Sequence, residues 1–410
     1  MAIAGFLLFF NLVWLLVNFY NFYPLIISRF GNQAKLVWRE RMIHPLISVL
    51  LPAYHEEMKT LNETVKRIFE ADYPQEKLEL IVITERDDEE TQTVVEKIQK
   101  RWPKVKQVTG DSSQGPPGKA RALNWGLNEA KGEIVGVIDA EDLIEPLLFK
   151  KVAYWIKERG YPACQGILDM VNERDGWRNL QFRGEYGWWF RFQLSSLSQA
   201  GFPVPLGGTT NFIRKEILEE MGGWDQWNLT EDFELGLRLY FKDKKVPVIP
   251  AITREESPIK WQCWLKQRTR WQRGKIQTLK KFIKMGTGGF KNFFHLAIIS
   301  IWPHLGFINL LGIGLSIYAF LVHPPLWPWL FPIFCINLFA IFTYMNLAAI
   351  GYWKTQRRMN FTSFFRGILI AITLPLYWFC QWIADLRAMK QEYIERKFYW
   401  EKTEHRGRHL

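Results

Sequence analysis

Cysteine is scarce in this chain. Cys164, Cys263, Cys335 and Cys380 stand far apart, with no CxxC pair and no metal-ligand spacing. That excludes a zinc module and a disulfide framework, and the four read as reduced packing residues. Acid is also in deficit: 41 Asp and Glu stand against 53 Lys and Arg, a net charge of +12. Such a balance points to a polyanionic partner, either nucleic acid, anionic lipid or a phosphate-bearing substrate. No RNP or zinc-finger pattern is present, so nucleic acid is not the expected partner. The basic residues flank apolar stretches instead, as with Lys275, Lys280, Lys281 and Lys284 before one and Lys354, Arg357 and Arg358 after another. This is the pattern of cytoplasmic membrane borders, and the lipid bilayer is an expected partner.

Residues 2–27 are almost wholly apolar, enough to cross a bilayer core of about 30 Å. No basic segment precedes them and no small-residue cleavage site follows, so an uncleaved anchor over 1–30 is expected. A basic patch follows at Lys35, Arg39 and Arg41. Beyond residue 290 the chain is apolar again, over 294–322 with Pro303 inside, over 327–352, and over 364–384 with Pro375 inside. Two of these segments are expected to go out and return. The third, 364–390, is expected to lie at the interface or re-enter, because a fourth crossing would put the basic tail 391–410 outside.

Between these parts, residues 45–285 have the texture of an α/β domain. Strand-length runs such as "LISVLLPAY", "LELIVIT" and "GEIVGVIDA" alternate with helical segments such as "ETVKRIFEA". The spacing predicts a mostly parallel sheet covered by helices on both faces, with ligands beyond the carboxyl ends of its strands.

The polar clusters fall at those ends. "VIDAEDLIEP" places Asp139, Glu141 and Asp142 after a hydrophobic strand, where Asp139 and Glu141 can reach a divalent ion that also holds a diphosphate. An isolated DxE is more often a solvated turn. "NLTEDFELGLRLY" puts Thr230, Glu231 and Asp232 at a helix start, where an acid is commonly a cap. A transfer by direct displacement needs a base, and Asp232 is the candidate. Gly207 and Gly208 allow backbone to approach a sugar or acceptor. In "QRTRWQRGK", Gln267, Arg270, Trp271 and Gly274 share one helical face. There a guanidinium suits a diphosphate and an indole a sugar ring, although a basic membrane-surface helix has the same composition. Tyr54 and Glu56 after the first strand, and Glu85, Asp87 and Asp88 after the second, are candidates for the base and ribose. Lys119 opens a helix and can meet a nucleotide phosphate.

Taken together, "PAYHEE", "GKARALN", "DAED", "GGTTNF", "TED" and "QRTRW" resemble the processive, membrane-bound family-2 glycosyltransferases typified by cellulose and hyaluronan synthases. The stretch from "PLGGTTNFIR" to "TED" and the ending "FYWEKTEH" are most similar to the bacterial XagB-like exopolysaccharide glycosyltransferases. The resemblance implies a GT-A-type fold and an inverting transfer from a UDP-sugar, with Mg²⁺ or Mn²⁺, to a β-linked polysaccharide. The same chemistry on a glycolipid or short glycan is the rival product. A silent membrane subunit binding nucleotide or glycan is the rival class, and a homo-oligomer or partner subunits stay open.

By the same resemblance, Tyr54, Glu56 and Glu85 contact the nucleoside, while Asp139 and Glu141 hold metal and diphosphate. Asp232, beside Glu231, is the base. Gln267, Arg270 and Trp271 hold pyrophosphate and, with Gly207, Gly208 and Thr230, the acceptor. "FYWEKTEH" matches a gating loop loosely. Glu141 and Thr84 depart from the family, which commonly has Asp at the first place and, in many members, the first of two acids at the second.

Overall fold

The computed structural model describes residues 2–28, 43–111, 113, 115–286, 288–301 and 305–396. The basic patch at Lys35, Arg39 and Arg41, Pro303 and the "FYWEKTEH" segment lie outside these residues.

In chain order the N-terminal half contains α1 (Ala2–Ile27), β1 (Ile47–Pro52), α2 (Met58–Phe69), β2 (Leu78–Glu85), α3 (Glu89–Arg101), β3 (Val105–Gly110), α4 (Lys119–Glu129), β4 (Ile134–Val137), β5 (Leu143–Ile144), α5 (Leu148–Ala153) and β6 (Ala163–Met170). There follow α6 (Trp177–Trp188), α7 (Leu194–Gln199), β7 (Asn211–Arg214), α8 (Lys215–Glu220), α9 (Glu231–Phe241), β8 (Val248–Glu255) and α10 (Trp261–Met285). The last four helices are α11 (Phe290–Ile301), α12 (Leu305–Val322), α13 (Trp327–Thr355) and α14 (Phe361–Met389).

One eight-stranded sheet runs β3-β2-β1-β4-β7-β6-β8-β5. Four of its seven pairings are parallel, which makes it the mixed, mostly parallel GT-A-type sheet that the sequence implies. Every residue of β2 is buried, because helices cover both faces of the sheet. Ile47, Val49 and Leu51 of β1 point to the core on one side, and Leu50 to the core on the other. That alternation fixes the register and brings the carboxyl ends of β1, β2 and β4 to one edge.

Helices α1, α13 and α14 are each long and apolar enough to cross a membrane by length and composition, and α12 is a shorter apolar helix. Polar side chains pin the bundle together. The Trp14 indole donates to Asn309 (2.5 Å), and Asn18 donates to Asn337 (2.8 Å). The expected 294–322 segment is split between α11 and α12. The 364–384 segment lies in one helix that runs through Pro375 without a break.

The bundle is fused to the catalytic layer rather than tethered to it. Gly187 of α6 and Gly351 of α13 meet backbone to backbone, so that a Cβ on either would collide with the other helix. Helix α14 touches the α/β domain along its length. Arg366 reaches Glu173 (3.5 Å), Gln181 donates to Thr373 (2.7 Å), and Arg268 donates to the Tyr377 hydroxyl (3.0 Å). Just beyond its end, Glu392 accepts from Arg273 and Lys280 of α10, both at 2.9 Å.

Candidate active site

A cavity of about 910 Å³ opens at the carboxyl ends of the strands and continues inward to the membrane helices. Its outer end is lined by Tyr54, Glu56, Glu85 and Lys119, and its middle by Asp139, Glu141, Gly208, Glu231 and Asp232. Ile299, Tyr344, Leu374 and Trp378 line the end that lies among the apolar helices α11, α13 and α14.

The strands place the outer acids. Glu85 ends β2, is buried, and accepts from Arg121 (2.5 Å). Asp88 is not a free ligand carboxylate. It caps α3 through the Thr91 amide (3.1 Å) and accepts from the amide of His55 (2.5 Å), holding a left-handed residue with φ of 53°. Asp88 therefore fixes the loop that carries Tyr54 and Glu56.

Asp139 and Glu141 face the cavity, but Asp142 turns inward. It is fully buried and accepts from the Thr209 hydroxyl and from the amide of Asp139 (2.9 Å). Burial and the charges of Asp139 and Glu141 push its carboxyl well above the ordinary range. Asp142 thus shapes the acidic turn, and through Thr209 it locks "DAED" to "GGTTNF".

Lys119 is not free for a phosphate as expected. Its ammonium is paired with Asp139 and donates to the Gly208 carbonyl (2.8 Å). A Cβ built on Gly208 would lie 3.5 Å from Asp232 Oδ2 and 3.6 Å from Lys119 Nζ. The base candidate and the metal-acid candidate therefore flank a single lysine. The Gly207 amide is held by Gln165 (2.8 Å), which sets this backbone in place.

Glu231 and Asp232 start α9 after Thr230, and the Asp232 carboxylate accepts from the Phe233 amide (2.7 Å). Burial and the charge of Asp232 push Glu231 up to about 7. Burial also raises Asp232, opposed by the Phe233 amide, Lys119 and Arg270. A carboxylate raised by burial holds a proton more strongly than an ordinary one, which suits a base.

Helix α10 brings Gln267, Arg270 and Trp271 to the cavity on one face. Gly274, one turn on, packs against Thr230 so closely that a Cβ would collide with it, which aligns α10 with the base candidate. Arg268 also lines the cavity, but it is already engaged. Its guanidinium lies 4.3 Å from the Phe182 ring and 4.8 Å from Trp271, and it forms a two-pronged pair with Glu185.

Sequence reasoning missed Glu185, Glu255 and Lys275, all of which line the cavity. Glu255 was findable, since it ends β8 just as Asp139 follows β4. Glu185 and Lys275 lie on helices whose facing depends on how they pack.

Among the described residues, no three His, Cys, Asp or Glu side chains are gathered as a metal site. The donor chemistry nevertheless fits a hard divalent ion. Burial first, and then the neighbouring charges of Asp139 and Glu141, raise the carboxyls of Asp142 and Glu255, so hard oxygen donors are crowded here. Asp139 and Glu141 are among the carboxylates that line the cavity, where they could share such an ion with a diphosphate.

Residues 44–274 match the family described as "Glycosyltransferase like family 2". The chain belongs to that family. It is 27% identical over 397 residues to a probable glycosyltransferase, YdaM, of Bacillus subtilis, covering 91% of this chain and 90% of the relative. It is 26% identical to a beta-monoglucosyldiacylglycerol synthase of Synechocystis, covering 57% of this chain and 48% of the relative. It is also 26% identical to a poly-beta-1,6-N-acetyl-D-glucosamine synthase of Staphylococcus epidermidis, covering 68% and 67%. A mannosyltransferase from Pyrobaculum calidifontis, solved with GDP-mannose and Mn²⁺, aligns over 94% of this glycosyltransferase and 99% of its own chain, with a TM-score of 0.57 and 19% identity. That likeness is one of fold.

Proposed function

We propose that this glycosyltransferase moves a hexosyl group from a nucleotide-sugar, a UDP-hexose by the motifs it shares with cellulose synthases, to an acceptor presented at the membrane. The observation that carries this reading is that Lys119, paired with Asp139, also has Asp232 nearby, all three lining one cavity.

Asp232 takes the proton of the acceptor hydroxyl, and the freed oxygen bonds to the anomeric carbon opposite the leaving group. The bond from that carbon to the diphosphate oxygen breaks, and its electron pair leaves with the nucleoside diphosphate. The sugar's configuration is inverted. Arg270 and Gln267 stabilise the departing diphosphate, and Tyr54, Glu56 and Glu85 orient the nucleoside. Asp139 and Glu141 would hold a divalent ion, which would add to the neutralisation of that diphosphate. Trp271 provides a stacking face for the acceptor sugar, beside Gly207, Gly208 and Thr230.

A membrane-held acceptor is favoured over a free glycan because the cavity ends among Ile299, Tyr344, Leu374 and Trp378. Processive elongation and the exopolysaccharide subgroup rest on the motif resemblance. The same reading puts the α/β domain on the cytosolic side, where nucleotide-sugars are made. It lays α14 along the inner face of the bilayer, which leaves α1, α12 and α13 as the crossings. Support comes from the contacts of α14 with the domain at both ends and from its opposite face, where Phe361, Phe365, Leu369, Ile372, Leu376 and Phe379 are exposed at helical spacing.

The test is a donor assay on detergent-purified protein with Mg²⁺ or Mn²⁺, offering UDP-glucose, GDP-mannose and UDP-N-acetylglucosamine in turn. Release of nucleoside diphosphate from a UDP-hexose, with the sugar recovered in a membrane-extractable product, is expected. A silent protein with every donor would sink the enzymatic reading.

A further inference from the structure

The cations of the cavity are not equally engaged. Lys119 is paired with Asp139, and Arg268 with Glu185. Lys275 also lines the cavity, half-buried, yet among the described residues it makes no hydrogen bond or ion pair. Its ammonium lies 5.9 Å from the centre of the Phe233 ring. Four charged groups from four helices face it: Arg268 of its own α10, Glu185 of α6, Asp232 of α9 and Asp385 of α14. The first repels it, the other three attract it, and none comes close enough to pair.

Position adds direction to this charge. Lys275 stands one turn beyond Trp271, about 6 Å along the same face of α10. The donor residues Gln267 and Arg270 lie on the opposite side of Trp271 along the helix. A charge there is poorly placed for the donor diphosphate. It lies near Asp232 and Asp385, in a cavity that also reaches Ile299, Tyr344, Leu374 and Trp378.

We propose that Lys275 binds an anionic group on the acceptor, and that this acceptor is a membrane lipid whose headgroup carries a phosphate next to a hydroxyl. The hydroxyl reaches Asp232, the phosphate pairs with Lys275, and the acyl part runs along the apolar end of the cavity. This inference rests on the transferase reading above and names its acceptor class. A lone ammonium in a partly desolvated cavity gains strongly from an anion, whereas a neutral lipid would leave it uncompensated. Burial and Arg268 together pull Lys275 down to about 8, so its charge is lost as pH rises past that value unless an anion holds it.

The experiment uses the full chain reconstituted with its donor and Mn²⁺ in phosphatidylcholine vesicles containing phosphatidylglycerol or uncharged diacylglycerol, with a soluble acidic oligosaccharide in a third arm. Phosphatidylglycerol is expected to be the preferred acceptor. Its KM should rise roughly tenfold or more in Lys275→Met and stay near the parent value in Lys275→Arg. In the parent, that KM should climb above pH 8, and in Lys275→Arg it should not. Equal use of diacylglycerol, or an unchanged KM in Lys275→Met, would overturn the anion assignment and leave the transferase reading standing. Transfer to the oligosaccharide alone would overturn the lipid assignment. No donor turnover in any arm would remove the transferase reading and this inference together. Folding of each variant is checked by thermal unfolding.

Discussion

Arg268 of α10 and Glu185 of α6 form a two-pronged ion pair at 2.7 and 2.6 Å, closed over by the rings of Phe182, Trp271 and Tyr377. The pair ties α10, which lines the cavity, to α6, on which α13 docks. The Glu185 carboxylate also accepts from the Tyr377 hydroxyl of α14 (2.8 Å), so three helices meet at one acid. Glu185→Ala should cost roughly 3 kcal/mol, because it strands a buried guanidinium. Thermal unfolding in detergent would show the loss. A Glu185→Ala, Arg268→Met double variant should recover part of it, and a double variant no more stable than the single one would mean that the pair does not act as a unit.

Asp232→Asn should lower transfer by about 10²–10⁴-fold, the usual worth of a positioned base. Nucleotide binding, followed by isothermal titration, should persist, since the donor residues are untouched. Asp139→Asn should weaken that binding as well. The two variants separate proton removal from donor capture, and retention of most activity in Asp232→Asn would rule out the base assignment.

The distinction between Asp232 and its neighbours was partly legible in the sequence. Acids at strand ends, a cap-like TED and a three-and-four spacing in "QRTRW" are local patterns, and local patterns survive without the fold. The roles of Asp142 and Asp88 did not survive in this way. Asp142 sits in an acidic turn and Asp88 among the candidates for the base and ribose, yet the fold turns one onto Thr209 and the other onto the His55 amide. Lys119 shows the same limit. A helix-opening lysine suggests phosphate, while its pairing with Asp139 depends on β4 lying beside the start of α4 in space.

Stability should also depend on pH through Glu231. Its folded-state carboxyl is raised to about 7, above the ordinary range. Between roughly pH 4.5 and 7 the unfolded chain has released this proton and the folded chain has not. Stability must then fall as pH rises across that window. Glu231→Gln should flatten the fall, visible as a smaller change in Tm between pH 5 and pH 8. A slope equal to that of the parent would place the proton elsewhere.

The union of bundle and catalytic layer can be tested at Gly351. Any side chain there meets the backbone of Trp188, so Gly351→Leu forces α13 off α6. The cost should be about 3 kcal/mol, the upper part of the range for overpacking. If α13 were only loosely tethered, the variant would unfold at the parent's temperature.

The path of α14 decides on which side the chain ends. An exposed apolar stripe suits both a crossing helix at the rim of a bundle and a helix lying in one leaflet. The opposite face separates the two, because a crossing helix would leave the α/β domain after a few turns. Here Arg366 and Glu392, 26 residues apart, both hold partners in the domain. At 1.5 Å per residue that is about 39 Å of contact, longer than the bilayer core is thick. In a chain with its four cysteines replaced, Ile394→Cys should therefore react with a membrane-impermeant maleimide from the same side as Trp227→Cys in the α/β domain. Val322→Cys, at the α12–α13 turn, should react from the other side. All three positions are exposed. Labelling of position 394 together with 322 would show that α14 crosses, and would detach the end of the chain from the catalytic face.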